Sequence, residues 1–182
     1  MKKSLVALAV AALISTPALA AEGQAYIFGD YGSAKFQNSG LLPSPGMLDF
    51  GAGYQFHPNI AGELGYTIFG DSKVDFGGGD TATFKSSATH AAVVGIFPIS
   101  NELSVFGKLG FSSNKGDISV TGAVTTTKPS VSKTDTYFGL GVRYNFDKQV
   151  SMHVQYQNFG KFESATNPLS ATGISVGASY NF

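Results

Sequence analysis

Apolar and polar residues alternate with a period of two along most of the chain from Gln24 onward, and clusters of Gly, Pro, Asn and Asp interrupt the alternation. Period two marks a strand whose two faces meet different surroundings. The pattern predicts strands over residues 24–36, 47–56, 60–70, 83–97, 103–114, 134–146, 149–159 and 171–182. One phase is apolar: Leu48, Phe50, Ala52, Tyr54 and Phe56 on the second strand, and Phe138, Leu140, Val142, Tyr144 and Phe146 on the sixth. The other phase is Asp49, Gly51, Gly53 and Gln55, then Gly139, Gly141, Arg143 and Asn145.

The connections alternate in length. His57-Pro58-Asn59, residues 98–102 and Asp147-Lys148 are tight, whereas 37–46, 71–82, 115–133 and 160–170 are long and polar. Short turns at one end and long loops at the other are the habit of bacterial outer-membrane barrels, short on the periplasmic side. An all-β fold follows: an eight-stranded antiparallel up-and-down transmembrane β-barrel with both termini on the short-turn side. The competing architecture is a soluble barrel with the apolar phase inside. An eight-stranded interior is only wide enough to be filled by side chains, so that many Phe, Tyr and Leu would overfill it. Glycine on the inner face, by contrast, leaves room for longer polar neighbours. The apolar phase therefore faces outward. Phe56, Phe97, Phe146, Tyr180 and Phe182 fall beside the short turns, and Tyr31, Tyr66, Phe111 and Phe138 lie towards the long loops. Those are the places for two interfacial aromatic girdles.

The N-terminus carries an export address. Met1-Lys2-Lys3 is a positive start, residues 5–14 are uninterruptedly apolar, and Ala18-Leu19-Ala20 is a small-x-small cleavage site. This is a Sec signal peptide over 1–20, with the barrel domain over 21–182. The apolar run is well short of the ~20 residues that span a bilayer as a helix. Any integral membrane contact of the mature chain must then be made by a closed barrel. The expected place is the outer membrane of a Gram-negative bacterium.

Composition narrows the function. Charged residues make up 13% of the 182, and 12 Lys+Arg balance 12 Asp+Glu. No basic excess exists to neutralise phosphates, so nucleic acid is not an expected partner. The absence of Cys excludes thiol nucleophiles and Cys-based metal sites. Gly77-Gly78-Gly79-Asp80 is one copy of a calcium-type repeat, and a single copy reads as a loop. No cofactor or metal is implied.

The last strand carries the sharpest local motif: Ile174, Val176, Ala178, Tyr180 and Phe182 alternate to a terminal Phe. It resembles the assembly signal that outer-membrane barrels present to their insertion machinery. Taken with Leu48-Asp49-Phe50-Gly51-Ala52-Gly53-Tyr54, Gly62-Glu63-Leu64-Gly65-Tyr66, Phe106-Gly107-Lys108-Leu109-Gly110 and Gly139-Leu140-Gly141-Val142-Arg143-Tyr144, the mature chain resembles the small eight-stranded outer-membrane barrels. These are the OmpA-like transmembrane domain and the neisserial opacity and surface proteins. The resemblance covers the mature chain without the Pro-rich linker and peptidoglycan-binding domain of the OmpA proteins.

The polar phase places Asp30, Asp49 and Glu63 on strands one to three and His90, Lys108, Arg143 and His153 on strands four to seven. Charges in a narrow interior persist only when paired and hydrogen-bonded. The resemblance implies a Glu–Arg/Lys network plugging the barrel. Glu63 falls at the matching Gly-x-Glu-x-Gly-Tyr position, while Arg143 stands where that pattern has an acid, so the pairing is rearranged. Glu63 is set against Lys108 and Arg143, with His153 a further candidate. Lipid A deacylases of this size use a His-x-Ser pair, but His153 is followed by Val154-Gln155, so an enzyme is not expected. The expected role is structural, a plugged, monomeric barrel that contacts outer-membrane lipid and lipopolysaccharide and displays its loops. The alternatives are a narrow channel for ions or small solutes and an adhesin that binds an extracellular ligand through its loops.

Overall fold

The computed structural model describes residues 23–37, 44–75, 81–121, 126–127, 131–162 and 170–182. Residues 1–20, read above as a signal peptide, and the Gly77-Gly78-Gly79-Asp80 tract lie outside the described residues. The strands are β1 (Gln24–Gln37), β2 (Gly46–His57), β3 (Ile60–Asp75), β4 (Thr81–Pro98), β5 (Leu103–Thr121), β6 (Thr126–Thr127), β7 (Val131–Asn145), β8 (Val150–Lys161) and β9 (Ser170–Asn181). Consecutive long strands pair antiparallel, and β9 returns to pair with β1, Tyr26 against Asn181 and Gln37 against Ser170. That ladder closes an eight-stranded barrel wall. The two-residue β6 adds to the far end of β5, with Thr127 opposite Ser119.

The wall has no free edge, so each of its eight strands finds hydrogen-bond partners on both sides. That is what allows a sheet to sit in hydrocarbon. Outward side chains are apolar and uncovered: Leu64 and Phe111 are each 67% exposed, and Leu109 is 65%. A patch of that extent is far larger than water-soluble monomers display. Ile27, Leu48, Phe50, Val93, Leu140, Val154 and Val176 continue the same surface around the wall. Among the described residues no helix is long and apolar enough to cross a membrane.

The short turns are held by their own polar groups. Asp147 Oδ1 accepts from the backbone N–H of Gln149 and of Val150, at 2.7 Å each. Those two donors, Val150 first, hold its carboxyl below the usual aspartate range. The cap is complete at neutral pH and is lost as pH falls through that lowered value. Beyond the opposite end, β8 carries a bulge between Asn158 and Gly160. Gly160 takes φ +71° there, and the Asn158 side chain accepts its N–H.

The strands run further on the long-loop side than alternation predicts. Ser72 to Asp75 pair with Phe84 to Thr81, and Lys115 to Thr121 pair with Ser87 to Thr81. Of these, Ser72 to Asp75, Thr81, Ala82 and Lys115 to Thr121 were expected as loop. Ser72-Lys73 and Lys115-Gly116-Asp117 interrupt the alternation there, while the backbone ladder continues.

Candidate functional site

With the outer wall apolar, chemistry is confined to the inward phase. Asp30, Asp49, Glu63, His90, Lys108, Arg143 and His153 all point into the lumen and are buried. Three acid–base contacts form. His90 Nε2 lies 3.0 Å from Asp49 Oδ1, and His153 Nε2 lies 2.8 Å from Asp30 Oδ1. Lys108 Nζ lies 2.6 Å from Glu63 Oε2, with both side chains at most 2% exposed.

Each contact skips a strand. His90 on β4 reaches over β3 to β2, His153 on β8 reaches over β9 to β1, and Lys108 on β5 reaches over β4 to β3. The strand between must not obstruct. Gly177 is the register partner of both Asp30 and His153, and a Cβ there would overlap the Asp30 carboxylate. Gly65 stands opposite His90, and a Cβ there would strike the imidazole at Cε1. For the third contact the residue opposite Glu63 is Ala92.

Further donors converge on the same carboxylate oxygens, while Asp30 Oδ2 and Asp49 Oδ2 have no hydrogen-bond partner among the described residues. Thr67 donates to Asp49 at 3.0 Å, and Gln155 and Ser175 donate to Asp30 at 2.9 and 3.3 Å. Tyr26 donates its hydroxyl to Glu63 Oε1 at 2.7 Å. His90 stacks on Tyr137 with ring centroids 4.6 Å apart, and Tyr137 donates to Gln157 at 2.8 Å. Asp30 and Asp49 are direct register partners across β1 and β2. Like charges so placed repel, and each carboxylate is turned to its own imidazole.

Arg143 differs from the other bases. Among the described residues no carboxylate lies within 4 Å of it. Its guanidinium carbon lies 5.3 Å from the Phe106 ring centre and 5.8 Å from that of Tyr26, whose hydroxyl it also reaches. Of the cations set against Glu63, Lys108 therefore meets it, His153 is engaged by Asp30, and Arg143 rests on aromatic faces.

Two apolar clusters enclose this polar interior. Tyr26, Phe28, Ala61, Val94, Ile96 and Phe106 pack towards the short-turn end. Phe36, Met47, Phe69, Tyr137, Phe159 and Phe162 lead the larger cluster on the long-loop side. Phe69 meets Phe36, Phe159 and Phe162 edge-on at 5.3–5.6 Å. Alternation alone assigns aromatic residues to the outer face, so these inner rings escape it. A signal existed: on β1 the inward phase reads Tyr26, Phe28, Ala34, Phe36, apolar at both ends and polar only near Asp30.

The C-terminal residues Ile174, Val176, Ala178, Tyr180 and Phe182 all lie on the outer face. Phe182 donates its N–H to Ala25 O at 3.0 Å, and its ring meets Tyr180 edge-on at 5.3 Å.

Residues 6–182 match the outer membrane protein beta-barrel domain family. The chain belongs to this family. No curated protein matches it by sequence. Among solved structures, neisserial surface protein A covers 87% of this outer-membrane barrel, with 97% of its own chain, at a TM-score of 0.68 and 18% identity. The attachment invasion locus protein of Yersinia pestis, in complex with the heparin analogue sucrose octasulfate, covers 89%, with 100% of its chain, at 0.67 and 19% identity. The outer membrane protein OprG of Pseudomonas aeruginosa covers 88%, with 96% of its chain, at 0.61 and 13% identity. At these identities the likeness concerns the fold: the barrel shares the course of its wall with proteins whose sequences have diverged.

Proposed function

We propose that the protein is a monomeric structural barrel of the outer membrane, plugged by its own side chains, that displays its long loops to the exterior. The observation that carries this reading is the lumen itself, where three buried acid–base contacts lie among two apolar clusters. Buried charges held by such contacts are more often architectural than conducting. A cleaved leader at 1–20 and contacts with outer-membrane lipid and lipopolysaccharide belong to the same proposal.

Purified protein refolded in detergent should show a strand-dominated circular dichroism spectrum and a gel band that shifts on boiling. In planar bilayers it should show no sustained unitary current. A stable conductance would replace the plug with a narrow channel. Loop-mediated adhesion is the further reading, supported by the likeness in fold to the Yersinia protein whose structure holds a heparin analogue.

We also propose that Ile174, Val176, Ala178, Tyr180 and Phe182 form the signal read by the barrel-insertion machinery. Phe182 is 61% exposed and fills no interior space. Phe182→Ala should therefore reduce insertion in cells severalfold while leaving refolding in detergent almost unchanged. Equal losses by both routes would make Phe182 a packing residue and sink the signal.

A further inference from the structure

The short-turn mouth of the lumen opens into a concave space of ≈ 470 Å³. Gln24, Gln55, Asn145, Asn181 and Ser104 line it with amides and a hydroxyl, and Arg143 lies at its inner end. Arg143 is 9% exposed, and its Nε has no hydrogen-bond partner among the described residues. A guanidinium buried to that degree normally finds a carboxylate, because its planar fork loses less hydration and gains two parallel bonds. Here Glu63 is already engaged by Lys108 and by Tyr26. The charge is held by the ring faces of Phe106 and Tyr26 and left open towards the cavity.

The carboxylates of Asp147 and Glu102 stand at the rim, where Asp147 Oδ1 accepts from the backbone of its own turn, Glu102 accepts from Ser100, and Lys148 stands beside them. Neither carboxylate lies within 4 Å of Arg143. We propose that this vestibule is a binding site for a small oxyanion, a carboxylate- or phosphate-bearing solute on the side that is periplasmic in this class of barrel. Arg143 would receive the oxyanion, and the surrounding amides and Ser104 would orient it. The site is separate from the plug in what it requires: the plug holds the ion pairs closed, and the vestibule needs one cation that the plug leaves without an anion.

Arg143 is the only arginine in the chain, so selective labelling gives a single Nε–Hε resonance. Refolded protein in zwitterionic micelles is titrated with inorganic phosphate or with succinate, at ionic strength held constant with chloride. The expected result is a saturable shift of that resonance, with the tighter of the two probes identifying the class of solute. Asn145→Asp, at the half-exposed wall, should weaken the titration at least tenfold by placing a competing carboxylate before Arg143. Gln24→Glu, on an exposed position, provides the same test should the first variant refold poorly. A shift that fails to saturate, that matches the chloride control, or that ignores both acidic substitutions overturns the site.

Discussion

Glu63→Gln should destabilise the barrel by about 3–5 kcal/mol, the range for leaving one member of a buried ion pair without its partner. The figure applies with little screening because neither Glu63 nor Lys108 is more than 2% exposed at its side chain. The glutamine oxygen can still accept from Tyr26, so the loss falls on Lys108, whose ammonium would keep only the faces of Phe28 and Phe106 at 5.0 and 5.4 Å. Lys108→Met alone should cost a similar amount, since it orphans Glu63. The double variant should recover much of the loss, because a buried pair replaced by neutral groups of like size is often close to neutral. Urea unfolding in lipid vesicles, followed by gel shift, measures the cycle. Arg143→Met is the comparison. It should combine with Glu63→Gln more nearly additively than Lys108→Met does, since no Glu63–Arg143 ion pair forms. Equal coupling energies would place Arg143 in the pair after all.

The second large effect concerns a residue with no side chain. Gly177→Ala should cost of the order of 3 kcal/mol, near the upper range for overpacking and the lower range for a broken buried pair. The added methyl would stand 2.5 Å from Gly29 O and 2.6 Å from Asp30 Cγ. It would push the Asp30 carboxylate away from His153, with which it shares one row of the barrel. Gly29→Ala supplies the control from the adjacent strand, since a Cβ at Gly29 meets nothing within 4 Å. Alanine in a strand interior is better than glycine by roughly 0.5–1 kcal/mol, so Gly29→Ala should be neutral or slightly stabilising. If both substitutions behaved alike, the row Asp30–Gly177–His153 would not depend on an empty position.

Much of this architecture is legible along the chain. Alternation places Leu48, Phe50, Leu140 and Val176 on one side and Asp49, Arg143 and Ser175 on the other, and the structure has them so. The eight wall strands and their short and long connections are read from the same pattern. Hydrocarbon and lumen impose opposite demands at every second residue, and that demand is local, so it is written residue by residue. The outer ends of β3 and β5 were harder to read because Ser72-Lys73 and Lys115-Gly116-Asp117 break the alternation, although the backbone ladder runs on through them.

The set of lumen charges was likewise visible before any pairing was known. Alternation along the chain already puts acids on β1 to β3 into one narrow interior with bases on β4, β5, β7 and β8. Only the closed barrel decided that Glu63 meets Lys108, that Asp30 meets His153 and Asp49 meets His90, and that Arg143 meets no carboxylate among the described residues. Each contact crosses an intervening strand, so it depends on the register of two ladders at once and, for Asp30 and His90, on the glycine that lies between. The inner aromatic clusters were decided the same way. Phe36, Phe69 and Phe159 come from strands far apart in sequence and are driven together by the need to fill a cylinder, a demand that exists only once the wall has closed.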